Sequence, residues 1–228
     1  MIEAVLFDLD DTLYDQRGWL AGAWVAVAAA AAPFGVDADP LWRALLETAA
    51  EGTDGGGIID RALERVGATG VPVGPFLEAF RSHDPLRLAT YPGVTEALER
   101  LRDRCRIGLV TDGDPRIQRS KLRALGLLDA FDVVVFSDEL GRERRKPHPA
   151  PFQAALSTLG VGPERAVYIG DRPDKDVTGA HAAGMRAIRV LTGEYAKVPN
   201  GCHQPIAMVG SLVEAIELVT SPVASPFQ

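Results

Sequence analysis

The chain reads as a doubly wound α/β protein, a mostly parallel sheet covered by helices, with an α-helical segment inserted near its start. Three observations carry that reading. Short apolar, β-branched runs recur along 228 residues that are 46% hydrophobic; stretches with helical i, i+3, i+4, i+7 spacing lie between them; and the rhythm breaks after the first run. Strands alternating with helices imply right-handed crossovers and a sheet buried on both faces.

In chain order, the runs Ala4 to Phe7, Arg106 to Val110, Val133 to Phe136, Ala166 to Ile169 and Ala187 to Leu191 predict buried strands. Helices are predicted by Val94, Ala97, Leu98 and Leu101, by Phe152, Ala155, Leu156 and Leu159, and by Leu212, Ala215, Ile216 and Val219. Between about Tyr14 and Thr90 lie Ala-rich and Leu-rich helix patterns, a "GTDGGG" loop and no convincing strand. Residues 15–90 are therefore expected to form a helical domain inserted into a core made of 1–14 and 91–228. Pro92 and Gly93 punctuate the return. The tail "TSPVASPFQ" has the composition of a frayed terminus.

A formal net charge of -7 argues against a general nucleic-acid or anionic-membrane binder and for a small soluble partner. Two cysteines, Cys105 and Cys202, lack metal-like spacing and allow at most one disulfide, which suits a reducing compartment. The opening "MIEAVLFD" lacks a basic segment followed by a long apolar run, so a cytoplasmic location is expected. "AGAWVAVAAAAAPFG" is too short for a bilayer span and reads as a buried helix ended by Pro33.

The chemistry gathers at strand ends. In an open parallel sheet ligands bind beyond the carboxyl ends of the strands. The first predicted strand is followed by Asp8-Leu9-Asp10-Asp11, the second by Thr111-Asp112-Gly113, the third by a loop carrying "RERRKPHP", and the fourth by "GDRPDKD". Crowded carboxylates at a buried strand end require protonation or a cation. Together with a hydroxyl, backbone donors and Lys146, they suit Mg²⁺ and a phosphoryl group.

These residues resemble the motifs of the haloacid dehalogenase superfamily, specifically its phosphatase branch. Asp8-Leu9-Asp10-Asp11-Thr12 matches the first motif, Thr111 the second, Lys146 before Pro147 the third, and Gly170-Asp171 with Asp176 the fourth. The resemblance implies Asp8 as nucleophile and Asp10 as general acid and then base. It implies Mg²⁺ held by Asp8, the Asp10 backbone carbonyl and Asp171, with Asp176 either a direct ligand or a partner through water, and phosphate held by Thr111, Asp112 and Lys146. Asp11 is expected to be non-catalytic and Thr12 to brace the loop. Dehalogenases of the superfamily typically carry Tyr where this chain has Asp10, which favours phosphate esters.

Two departures stand out. Many relatives have Asn where this chain has Asp112, and an ionised Asp offers no side-chain donor, which leaves its backbone N–H. The "GRERRK" stretch is two residues longer than the common Gly-x-x-Lys-Pro form.

Bland readings compete elsewhere. Arg142, Arg144 and Arg145 read first as a solvated loop, with contact to a second anionic group as the sharper alternative. His148 is expected to shape its loop and His181 to pack at a helix surface, while His83 and His203 have no partner by spacing. Trp19, Trp24 and Trp42 read as helix packing.

The implied activity is Mg²⁺-dependent hydrolysis of a small phosphorylated metabolite through an aspartyl-phosphate, with the inserted domain as a cap. The stretches around Thr111 and Lys146 look most like phosphatases of sugar-acid phosphates and nucleoside monophosphates. The alternatives are a phosphosugar mutase of the β-phosphoglucomutase kind and a non-catalytic binder of a phosphorylated metabolite. Phosphonate hydrolysis is disfavoured because residues 14–90 contain no Lys. The expected assembly is a monomer or homodimer.

Overall fold

The computed structural model describes residues 2–52 and 56–221, and they divide into two compact units. One comprises the described parts of Met1–Gln16 and Arg87–Gln228; the other is formed by the described residues of Arg17–Leu86.

In the first unit six strands form one parallel sheet among the described residues: β1 (Ala4–Phe7), β2 (Arg106–Thr111), β3 (Val133–Phe136), β4 (Ala166–Gly170), β5 (Arg186–Val190) and β6 (Ala207–Val209). Their order is β3-β2-β1-β4-β5-β6. The chain runs outward from β1 to β3, then returns to the other side of β1 at β4. The crevice at this reversal is where an open α/β sheet places ligands. Register sets the two central strand ends level, with Phe7 opposite both Leu109 and Ile169.

The strands are short and nearly all apolar because both faces are covered. One face packs Leu6, Val110 and Tyr168 against Phe152, Ala155 and Leu156 of α7 (Ala150–Leu159) and Ala180 of α8 (Thr178–Ala182). The Phe152 ring meets Tyr168 edge-on at 4.8 Å. Towards the other face lie α5 (Val94–Arg102) against β2, and α9 (Leu212–Thr220) against β5. The helix α6 (Pro115–Ala124) is preceded by its N-cap Asp114, whose side chain accepts from the Arg116 N–H.

The sixth strand was not expected from sequence. It is a three-residue edge strand with an exposed Met208, so it carries no apolar run long enough to read. Tyr14 stays with the sheet through its hydroxyl, which donates to Asp10 Oδ1 at 2.6 Å. The returning chain is stitched back early, Leu88 N–H to the Ala124 carbonyl and Tyr91 N–H to that of Leu13. The α/β unit consequently keeps residues up to Gln16 and resumes at Arg87.

The second unit consists of α1 (Arg17–Ala29), α2 (Ala38–Ala50), α3 (Ile58–Arg65) and α4 (Gly74–Ser82). Trp24, Val27, Leu41, Leu45, Leu63 and Phe76 form its buried centre. Trp19 is buried and sits edge-on to Phe80 at 5.1 Å, while Trp42 is partly exposed. His83, without a partner by spacing, lies 5.6 Å from the Trp19 ring. None of the described helices is long and apolar enough to cross a membrane. Residues 53–55 of the "GTDGGG" loop and 222–228 of the "TSPVASPFQ" tail fall outside the described residues.

Candidate active site

The last residue of β1 is Phe7, and the next residue's N–H is held by the Ile169 carbonyl at 3.0 Å. That bond carries the strand direction one step further and aims Asp8 into the crevice, where it is buried. Lys146 Nζ reaches Asp8 Oδ1 at 2.5 Å, Asp176 Oδ1 at 2.8 Å and the Tyr168 hydroxyl at 3.2 Å. Tyr168 itself donates to the Val110 carbonyl, which fixes the ring under the ammonium. Asp176 is anchored by the Arg172 N–H at 3.0 Å, and Gly170 leaves the space its side chain fills.

Asp8, Asp171 and Asp176 are all buried, and each offers one carboxylate oxygen within 4.8 Å of the others. Thr12 Oγ1 lies 3.5 Å from both Asp8 Oδ2 and Asp171 Oδ1, as expected of a loop brace. Burial, together with the neighbouring carboxylate Asp176, raises Asp8 to about 7 even though Lys146 opposes it. Asp171, raised by burial and by Asp176 and Asp8, stands at about 9. Three carboxylates and one ammonium leave the pocket short of positive charge. A hard divalent cation with oxygen ligands fits that donor set.

Asp10 sits differently. Its carboxylate accepts from Lys121 Nζ at 2.7 and 2.9 Å, from Gln118 Nε2 at 3.0 Å and from the Tyr14 hydroxyl. Burial alone would push its pKa up, but the Lys121 charge and these donors outweigh burial and lower it. The two motif-one carboxylates are thus shifted in opposite directions, Asp8 upward and Asp10 downward. The cause is the placement of the cations: Lys121 serves Asp10 alone of the two, whereas Lys146 is shared between Asp8 and Asp176.

The family profile of haloacid dehalogenase-like hydrolases matches residues 2–184. The chain is a haloacid dehalogenase-like hydrolase. It is 39% identical over 203 residues to a glyceraldehyde 3-phosphate phosphatase of Methanopyrus kandleri, covering 86% of each chain. A phosphoserine phosphatase of Thermus thermophilus is 37% identical over 158 residues, 69% of this chain and 61% of that one. Among solved structures, a 2-haloacid dehalogenase from Pseudomonas syringae is 30% identical with a TM-score of 0.68, covering 96% of this chain and 98% of that chain.

Within this hydrolase, Thr111 is buried at the end of β2 and accepts from Gln118 Nε2 at 2.6 Å. Gln118 thereby joins the Thr111 hydroxyl to Asp10. The Asp112 carboxylate accepts from Ser137 and from the Lys146 backbone N–H, so the expectation that Asp112 binds phosphate turns on its own backbone N–H. Asp11 is a loop residue, at φ 56, accepting from the Gln16 and Glu194 N–H groups at 3.0 and 3.1 Å.

Sequence reading missed Tyr14, Gln118, Lys121, Ser137 and Asp138. One signal was available for two of them. Gln118, Lys121, Leu122 and Leu125 share one i, i+3, i+4, i+7 stripe of α6, and polar residues on a buried stripe need partners. In the hydrolase's arginine loop, Arg145 grips Asp138 at 2.5 and 2.6 Å, while the Arg142 and Arg144 side chains stay largely exposed. His148 Nδ1 accepts from the Ala150 N–H at the start of α7, and His181 stacks on His203 at 5.0 Å.

Proposed function

We propose that this hydrolase is a Mg²⁺-dependent phosphomonoesterase acting on a small phosphorylated metabolite. The observation that carries the reading is the meeting of Asp8, Asp171, Asp176 and Lys146 at the sheet reversal, with Asp10 two residues from Asp8. Relatives named as phosphatases of glyceraldehyde 3-phosphate and phosphoserine support it and suggest short phosphorylated substrates. A cytoplasmic location and a substrate-selecting role for the helical insert belong to the same proposal.

Asp8 attacks phosphorus in line, a bond forms from its carboxylate oxygen to phosphorus, and the bond to the ester oxygen breaks. Asp10 gives its proton to the departing alkoxide. In the second displacement Asp10, now ionised, takes a proton from a water that attacks phosphorus, releasing phosphate and restoring Asp8. Lys146 and Thr111 hold phosphate oxygens as charge moves onto them. Asp8, Asp171, Asp176 and the Asp10 carbonyl would hold Mg²⁺, which when bound supplies charge neutralisation and polarises the phosphoryl group. The grip of Lys121 favours the ionised Asp10, the form the second displacement needs.

The test is phosphate release from a panel of glyceraldehyde 3-phosphate, phosphoserine, phosphoglycolate, sugar-acid phosphates and nucleoside monophosphates with Mg²⁺, wild type against Asp8→Asn. Turnover lost in the variant is the expected result; equal turnover in both would refute Asp8 as nucleophile.

The likeness to a 2-haloacid dehalogenase favours a second reading, displacement of halide from a 2-haloacid by Asp8. A departing halide needs no proton, which leaves Asp10 without a task. Halide release measured beside phosphate release separates the two.

A further inference from the structure

Asp112 ties the end of β2 to the residue that carries the site's ammonium. Its Oδ1 accepts from Ser137 Oγ at 2.6 Å and from the Lys146 backbone N–H at 3.1 Å. Ser137 follows directly on β3 and is fully buried. One residue along, the pattern repeats: Asp138 accepts from the Gly113 N–H at 3.3 Å and grips the Arg145 guanidinium. Residues 112–113, 137–138 and 145–146 are therefore cross-tied through two carboxylates. Pro147 has no N–H, so the 146–147 step offers a single amide for any such tie.

We propose that Asp112 is a positioning residue that acts through Lys146, and that its side chain contributes nothing of its own to phosphate. This rests on the phosphomonoesterase reading above. An ionised carboxylate has no donor for a phosphate dianion and would repel it. Oδ1 is already engaged twice, and Oδ2 has no hydrogen-bond partner among the described residues, with Lys175 Nζ 3.9 Å away. What the carboxylate does control is the root of a long side chain. The Lys146 ammonium stands at the end of a flexible four-carbon stem and must meet Asp8 and Asp176 together. A displaced backbone at 146 moves the ammonium, and a misplacement of about 1 Å costs on the order of a hundredfold in rate. The lengthened "GRERRK" loop makes such a tie useful, because more chain separates Lys146 from β3.

The experiment is a double-mutant cycle on the Mg²⁺-loaded full chain, comparing wild type, Asp112→Ala, Lys146→Ala and the double variant on the best substrate of the panel. Asp112→Ala is expected to lower kcat by about 10- to 100-fold with KM little changed. In the Lys146→Ala background it should change kcat by no more than about twofold. Losses that multiply would overturn the proposal. Asp112→Asn keeps an acceptor oxygen for both donors and should hold kcat within about threefold of wild type, which a need for the charge itself would not allow. Should Asp112→Ala not fold, Ser137→Ala removes the second tether of the same oxygen, and its kcat loss should vanish beside Lys146→Ala.

A readout apart from activity keeps the clamp separate from the phosphatase reading. In NMR of the metal-free protein, the Lys146 amide should exchange at least tenfold faster, and the Lys146 ammonium resonance should shift, in Asp112→Ala but not in Asp112→Asn. Unchanged exchange and resonance would sink the clamp even where phosphate is released. A wild type that hydrolyses nothing, with these changes present, would sink the phosphatase reading alone.

Discussion

The ammonium of Lys121 stands 2.7 and 2.9 Å from the two carboxylate oxygens of Asp10, and both side chains are largely withdrawn from solvent. A buried cation at this distance holds its partner ionised. The proposed first displacement needs Asp10 protonated, so on that reading Lys121 sets the pH at which the step fails. Lys121→Met keeps the stem and removes the charge, and Asp10 then retains its proton to higher pH. The descending limb of the kcat/KM profile, which reports groups of the free enzyme, should move to higher pH. An unmoved limb would show that Asp10 is not the group titrating there.

Stability in the absence of metal should fall as pH rises. Asp8 and Asp171 stand at about 7 and about 9 in the folded chain against 3.8 for an ordinary Asp. Between those limits the folded state binds more protons than the unfolded one, so raising pH favours unfolding. The proposed Mg²⁺ would compete with those protons, so its stabilisation is expected to grow with pH. Thermal unfolding with chelator and with Mg²⁺, at pH 5.5 and 8.5, measures this. A hundredfold excess over Kd is worth about 2.7 kcal/mol, or roughly 5–10 °C in a chain of this size. A shift of equal size at both pH values would contradict the carboxylate cluster as the binding site.

The strand ends that hold Asp8, Thr111 and Asp171 were legible because a buried parallel strand announces itself as a short apolar run and the next residue inherits its direction. Lys146 was legible through its motif alone, since the loop before it has no period. Sequence spacing did not reveal what faces these residues from other elements. Gln118 and Lys121 lie on α6 more than a hundred positions from Asp10, and only the crossover of the chain brings them to it. Arg145 read as part of a solvated charge run because its partner Asp138 lies behind an intervening turn. The edge strand β6 was missed for the plainer reason that three residues carry no pattern.

Asp138 should stabilise the fold at neutral pH and cease to do so in acid. Burial works against its charge, but the Arg145 hydrogen bonds and charge, with the Gly113 N–H, outweigh burial and lower its pKa. A depressed carboxylate contributes stability above the unfolded value near 3.8, and that contribution is lost as pH falls through the folded value. Asp138→Asn should cost on the order of 1 kcal/mol at pH 7, a modest figure because the Arg145 side chain is 35% exposed and screened. In urea titrations the gap between wild type and variant should narrow below about pH 4. A gap that stays constant into acid would assign the cost to packing.

Gly193 is the position where the loop after β5 can least accept a side chain. Its φ is 64, and a Cβ there would fall on the Asp11 carboxylate. Asp11 in turn receives the Glu194 N–H at 3.1 Å, and its carbonyl accepts from the Thr192 hydroxyl. This loop and the motif-one loop therefore brace each other, three residues from the proposed nucleophile. Gly193→Ala meets two costs: about 1–2 kcal/mol for the left-handed backbone and about 1–3 kcal/mol for the collision. Its denaturation midpoint should fall accordingly. Asp11→Ala relieves the collision and leaves the backbone cost, so in a double-mutant cycle the two losses should sum to more than the loss of the double variant. Strict additivity would place the whole cost in the backbone and remove the brace from the account.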